Sequence, residues 1–174
     1  MHFNFIQSPM KKIGILIFLL SISFVAFSQY DTTPPYLKSK LLPAFKLLSV
    51  DSTVFTENVL DSSKQTIFML FHPECDHCQQ QLELILSMPE IAQKAILIMI
   101  SGEEPLYKNR AFYKKNHLEK YGYIHLGKDF KYFFGGFFQP NTVPILAFYN
   151  KQRTFTLIKR GNAEKQFLLD ALNQ

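Results

Sequence analysis

The chain has 174 residues, 47% of them hydrophobic and 15% aromatic against 19% charged, with a formal net charge of +5. That is room for one globular domain and a leader, and it excludes a disordered polar chain. A domain of this size builds its own core, so its two cysteines point to chemistry more than to the stapling of a small secreted scaffold.

At the N-terminus, Lys11 and Lys12 precede IGILIFLLSISFVAF, an uncharged and mostly apolar run that leads to Ala26-Phe27-Ser28, with small residues at the two positions a signal peptidase reads. Residues 1–28 read as a secretory signal peptide, with Met10 as an alternative start. At ~1.5 Å per helical residue the apolar run reaches only ~22 Å against a ~30 Å hydrocarbon core, so an uncleaved membrane anchor is the weaker reading. No cysteine lies in the leader, which removes a lipid anchor on cysteine. The expected location is periplasmic or exported, after cleavage near Ser28. Loss of Lys11 and Lys12 leaves 17 basic residues (19 − 2) against 14 acidic ones, a net charge of +3 that is too mild to imply nucleic acid.

Residues 29–40, with Pro34-Pro35, read as a flexible entry segment, and residues 41–174 as the domain. Phe45 to Val50 and Thr53 to Thr56 are short strand-like runs around an Asp51-Ser52 turn, an expected hairpin. TIFMLF (66–71) and AILIMIS (95–101) are unbroken apolar runs of strand length, as central strands covered on both faces require. Between them Cys78, Leu82, Ile85 and Leu86 recur at helical spacing until Pro89. This is a βαβ unit with the cysteines at its first strand-to-helix junction. A helix is expected from about Tyr107 to Tyr121 with Gly122 as its stop, then the short strand YIHLG, then a helical turn in DFKYFFGGF ended by Gly135-Gly136. Lys108, Arg110, Lys114, Lys115 and Lys120 read as a solvated helix face without a partner. PILAFYN and RTFTLIK form an antiparallel pair, and AEKQFLLDAL closes the chain as an amphipathic helix with Phe167, Leu168, Ala171 and Leu172 on one side. The order argues an α/β sandwich with a mixed sheet.

A helix beginning near Cys75 places that sulfur among the unpaired N–H groups of the first turn, which favours thiolate and marks Cys75 as a nucleophile. Cys78 lies nearly one turn on and shares a face with Leu82 and Ile85. It should be buried, yet close enough to close a disulfide, as a resolving thiol is.

Cys75-Asp76-His77-Cys78 after a buried strand, with Thr142-Val143-Pro144 entering a later strand 66 residues on (144 − 78), resembles the thioredoxin fold. The PAFKLLSVDS hairpin, ISGEE, HLGKDF and LIKRGN resemble the TlpA/ResA-type exported branch, over roughly residues 40–172. The resemblance implies a three-layer thioredoxin-like sandwich with an N-terminal β-hairpin extension. It implies a thiol–disulfide oxidoreductase with no cofactor beyond the Cys75–Cys78 pair. It also implies a cis Val143–Pro144 bond, with Thr142, Val143 and Pro144 against the substrate's extended chain. Implied partners are protein thiols or disulfides in the periplasm and a membrane-bound redox donor or acceptor; the protein is expected to be a monomer and, on this resemblance alone, a reductant.

The chain departs from that pattern. Met69 stands where thioredoxins bury an acid, Glu74 where they carry tryptophan, and Gln81 where some ResA-type members place glutamate. His72, Glu103 and Glu104, near strand C-termini, are substitute proton acceptors. Glu74, Asp76 and His77 are the expected tuners of redox poise, with opposing signs. Two other classes stay open: a copper or zinc module using Cys75 and Cys78 with His72, His77 or His125, and a non-catalytic binding domain with a structural disulfide. Covalent haem is excluded because C-x-x-C-H needs a histidine where Gln79 stands. Of Phe133, Phe134, Phe137 and Phe138, most should be core, with one or two lining a groove beside Cys75.

Overall fold

A computed structural model of the chain describes residues 31–102 and 104–174. The leader expected at 1–28 and Glu103 lie outside the described residues. The elements in chain order are α1 (Pro35–Ser39), β1 (Leu47–Ser49), β2 (Val54–Phe55), a 3-10 turn (Glu57–Val59), β3 (Gln65–Phe71), α2 (Asp76–Leu86) and α3 (Pro89–Lys94). They continue with β4 (Ala95–Ser101), α4 (Leu106–Lys115), a second 3-10 turn (Leu118–Lys120), β5 (Ile124–Lys128), α5 (Phe133–Phe138), β6 (Ile145–Tyr149), β7 (Phe155–Arg160) and α6 (Lys165–Ala171).

The seven strands form one sheet in the order β2-β1-β5-β4-β3-β6-β7. β3, β4 and β5 run parallel, while β1, β2, β6 and β7 pair antiparallel with their neighbours, so the sheet is mixed. Every residue of β3 and β4 is buried because both faces are covered. Side chains alternate across a strand, so Ile67, Met69 and Phe71 meet Cys78, Leu82 and Ile85 of α2, Phe112 of α4 and Leu168 of α6. Phe68 and Leu70 face the other way, onto Phe134, Phe137 and Phe138 of α5 and Tyr36 of α1. The result is three layers with the sheet in the middle. At the hairpin edge the fit is close: a Cβ on Gly127 of β5 would fall 2.6 Å from Leu47 Cβ and 2.8 Å from the Phe55 ring.

Pro89 ends the helical pattern of α2 and opens α3 at its first turn, where the missing N–H has no intrahelical partner to lose. The chain then passes directly into β4, and the βαβ unit is complete.

Three segments differ from the sequence expectation. Residues 35–39 are not a loose entry but a short helix, because Tyr36 is 6% exposed and its ring packs 5.5 Å from Phe138 and 5.2 Å from Phe155. Thr33–Gln174 accordingly pack as one unit. The helix expected to reach Tyr121 stops at Lys115, and His117 turns left-handed at φ 50°. There Asn116 donates to the Phe112 carbonyl at 2.9 Å and accepts from Gln79 at 2.6 Å, and the turn buries Leu118. Finally, Gly135-Gly136 does not end α5, which runs on to Phe138. Its start is fixed by the buried Asp129 carboxylate, which accepts from Phe133 N at 3.1 Å and Phe134 N at 2.7 Å. Its length is held by stacking of Phe133 on Phe137 and Phe134 on Phe138, pairs four residues apart.

Candidate active site

β3 delivers the chain to the C-terminal edge of the sheet, and His72-Pro73-Glu74 turns it into α2. The Cys75 N–H donates to the His72 carbonyl at 3.1 Å, which closes that turn. Cys75 is then the N-cap of α2, with extended backbone, and its Sγ accepts the Cys78 N–H at 3.4 Å. A sulfur thus does the work that a serine or aspartate oxygen does at other helix starts. Cys75 is half-buried and Cys78 fully buried, and both are free thiols.

Their environments separate them chemically. Burial pushes the Cys78 thiol up to about 12; the neighbouring Cys75 sulfur adds to the rise, and a hydrogen bond from the His72 backbone opposes it. The Cys75 thiol faces the Val143 carbonyl at 3.9 Å. The Val143–Pro144 peptide is cis, Pro144 is buried, and its carbonyl accepts the Gly161 N–H at 2.8 Å. Thr142 is exposed at the rim of this loop. Cys75, Cys78, Val143 and Pro144 are therefore brought together.

Beneath the cysteines lie the two uncharged replacements. Met69 is fully buried in the apolar cluster that contains Cys78. Gln81 is 1% exposed and uses its Oε1 to accept the Ala163 N–H at 2.6 Å, tying α2 to the loop before α6, while its Nε2 has no partner. Neither is a carboxylate that takes a proton from Cys78.

A ring of charged groups stands beside Cys75 instead. His72 Nε2 lies 2.6 Å from Glu104 Oε1, and the Glu74 N–H donates to His72 Nδ1 at 3.1 Å. Because Nδ1 accepts, the proton of the neutral ring sits on Nε2 and donates to Glu104. Lys108, on the first turn of α4, donates to Glu74 Oε2 at 2.8 Å and approaches Glu104 Oε2 at 3.2 Å. Lys108 and, after it, His72 hold the Glu104 carboxyl below the usual carboxylate range. Asp76 and His77 are exposed on the outer side of the α2 start.

The Lys108 placement corrects the reading of that residue as part of a solvated face. Arg110 also has partners, bonding Val50 O at 2.6 Å and Ser52 Oγ at 2.9 Å, whereas Lys114, Lys115 and Lys120 are exposed. Glu104 and Lys108 are four residues apart, the spacing of a helical ion pair, and that was the local signal.

A cavity of about 320 Å³ opens next to the cis loop, lined by Leu70, His72, Ile100, Glu104, Phe134 and Val143. Phe134 forms its wall, while Phe137 and Phe138 are core. A larger cavity of about 710 Å³, between the β1–β2 turn and α4, contains none of the residues around the cysteines.

The geometry bears on a metal. Among the described residues, His72, Glu74 and Glu104 bring one ligand atom each within 4.8 Å of the others, but the Lys108 ammonium already bonds both carboxylates. His125 sits on β5 in register with Ile98, three rows from the strand ends that carry the site, with its ring 6.0 Å from Phe55. It does not reach the cysteines.

No protein-family model and no curated protein matches the chain. Solved structures do resemble it. A secreted Mycobacterium tuberculosis disulfide oxidoreductase homologous to E. coli DsbE is 14% identical, with 74% of this chain and 94% of that one covered and a TM-score of 0.61. The exposed lipoprotein thioredoxin Etrx1 of Streptococcus pneumoniae is 18% identical over 75% and 98% of the two chains, with a TM-score of 0.60. StoA of Bacillus subtilis is 15% identical over 78% and 99%, with a TM-score of 0.59. The chain has the thioredoxin-like fold these proteins share. Among the described residues no helix is long and apolar enough to cross a membrane.

Proposed function

We propose that the protein is an exported thiol–disulfide oxidoreductase that exchanges its Cys75–Cys78 pair with cysteines of other proteins, and that it acts as a reductant. The observation that carries this is the asymmetry of the pair: Cys75 half-exposed at the N-cap of α2 and facing Val143, Cys78 buried one turn on with its thiol pushed up to about 12. The Cys75 thiolate attacks a disulfide sulfur of the partner, forms a mixed disulfide and releases the partner's first cysteine as a thiolate that takes up a proton. Cys78 then loses its proton and attacks Cys75 Sγ. The Cys75–Cys78 disulfide forms, the mixed disulfide breaks, and the partner's second cysteine leaves as a thiol. The partner's disulfide is reduced by two electrons and the dithiol is oxidised by two, so a membrane-bound donor must restore it.

Substrate docking is assigned to Thr142, Val143 and Pro144, whose loop passes within reach of Cys75, with the Phe134-lined cavity beside it. That Etrx1 is an exposed lipoprotein and the M. tuberculosis oxidoreductase is secreted supports an exported setting. The test is covalent capture. Cys78→Ser keeps the attacking thiol and removes the release step, so it accumulates reducible adducts with partner proteins. Cys75→Ser, whose remaining thiol is buried, captures few or none. Equal capture by both variants, or capture by neither, overturns the reading.

A further inference from the structure

The cavity beside the cis loop is walled in part by two residues that contribute no side chain, Gly102 after β4 and Gly135 inside α5. Glycine is a poor helix former, so Gly135 weakens the helix it sits in. The fold does not require it. Among the described residues the glycine with a left-handed φ is Gly161, and a Cβ added at Gly102 or Gly135 would meet no atom within 4 Å. Neither backbone conformation nor close packing accounts for these two glycines, which leaves the room they keep beside the reactive loop.

The remaining walls set what fits that room. Leu70, Ile100 and Phe134 are buried and make it apolar. The charges that share it are already partnered: Glu104 with His72 and Lys108, and Asp129 with the Phe133 and Phe134 N–H groups. A charged side chain entering here would lose water and meet no free counter-charge. At about 320 Å³ the cavity lies at the lower end of ligand pockets, ~300–1,000 Å³, the scale of one large side chain. Val143 joins it to the chemistry. This residue lines the cavity, packs against the apolar layers on both faces of the sheet, and has its carbonyl 3.9 Å from Cys75 Sγ. The loop therefore crosses the end of the sheet with the attacking sulfur on one side and the cavity on the other. An extended chain laid along it, at ~3.3 Å per residue, places a near neighbour of its cysteine over the cavity.

We propose that this cavity is a specificity pocket for a large, uncharged apolar side chain one or two positions from the substrate's reacting cysteine, and that Gly102 and Gly135 keep it open; this rests on the oxidoreductase reading above. The substrate class is a protein segment that binds in extended form and carries an aromatic or large aliphatic residue beside its cysteine.

The experiment uses short peptides with a central cysteine in a mixed disulfide with the chromogenic thiol nitrothiobenzoate, and with one test residue placed in turn at each neighbouring position. The Cys75 thiolate of the reduced protein attacks the peptide sulfur, the Cys75–peptide disulfide forms, and the better leaving group departs as a coloured thiolate whose release is followed by stopped flow. Phenylalanine or leucine at one of these positions should speed release on the order of tenfold over alanine, glutamate or lysine. Gly135→Leu and Gly102→Leu should each bring that ratio to about one by narrowing the pocket. Gly136→Leu, equally open at its Cβ but outside the lining, should retain it. Leucine suits a helix better than glycine, and Gly102→Leu, outside any helix, decides the matter if Gly135→Leu does not fold. No apolar preference at any position, a preference for glutamate or lysine, a ratio unchanged in both lining variants, or an equal loss in Gly136→Leu overturns the pocket and, as long as colour is released, leaves the oxidoreductase reading standing. No release from any peptide by the wild type overturns both.

Discussion

At Cys78 burial becomes a measurable linkage between pH and stability. In the unfolded chain this thiol ionises near its ordinary value, ~8.5, whereas in the fold it keeps its proton to about 12. The folded form therefore holds a proton that the unfolded form has lost. The stability of the reduced protein is full below ~8.5 and falls as pH rises toward the folded value, by up to about 1.4 kcal/mol per pH unit. The disulfide form has no thiol to ionise, so its stability should lack this slope. Urea midpoints of the two forms between pH 7 and pH 10 check the expectation, and parallel curves would sink it. Helical spacing made the division between Cys75 and Cys78 legible in the sequence, because position on a helix face decides burial. The ring beside them was only half legible. The Glu104–Lys108 pair is local, but the Lys108–Glu74 bond spans 34 residues and exists only because α4 packs against the turn after β3.

Among the elements, legibility followed how much of the signal is local. β3 and β4 announce themselves as apolar runs because each is covered on both faces, and α2 as a 3.6-residue pattern because one face is buried. The α5 helix does neither. Its sequence FFGGFF has a glycine pair where a helix stop is expected, and what sustains it is a carboxylate four residues before its start and aromatic stacking along it. Asp129 is 3% exposed and satisfies two backbone N–H groups that have no intrahelical partner. Asp129→Ala should therefore cost about 1–2 kcal/mol, the upper range for loss of a cap, while Asp129→Asn, which retains one acceptor oxygen, should cost less. Because Phe134 walls the cavity beside the cis loop, the alanine variant should also slow reaction with a protein disulfide more than with a small one. Equal stability of the alanine variant and the wild type in urea would show that the stacked phenylalanines hold α5 alone.

For the molecule as a whole, the direction of electron flow is a question of which redox form folds more stably. A thermodynamic cycle links the two: the potential of the folded pair differs from that of an unstrained pair by the difference in folding free energy between oxidised and reduced forms. A strong oxidant is one whose reduced form is the more stable, commonly because a thiolate is stabilised, and its potential lies near −120 mV, against about −270 mV for a reductant such as thioredoxin. Here the N-cap contact of Cys75 favours a thiolate, and the rest of the surroundings oppose one. Cys78 is held as a buried thiol, Glu74 and Asp76 flank Cys75, and the Lys108 ammonium is bonded to Glu74 and shared with Glu104. The oxidised protein should therefore be the more stable form at neutral pH, with a higher Tm than the dithiol, and the couple should equilibrate with glutathione almost wholly as disulfide. About 30 mV corresponds to 1.4 kcal/mol for this two-electron couple, so the stability difference and the potential can be measured independently and must agree. Lys108→Met, which removes the cation, should make the couple still more reducing. A dithiol form that outlasts the disulfide on heating, with a potential near that of the oxidants, would reverse the assigned direction while leaving the exchange chemistry of Cys75 and Cys78 in place.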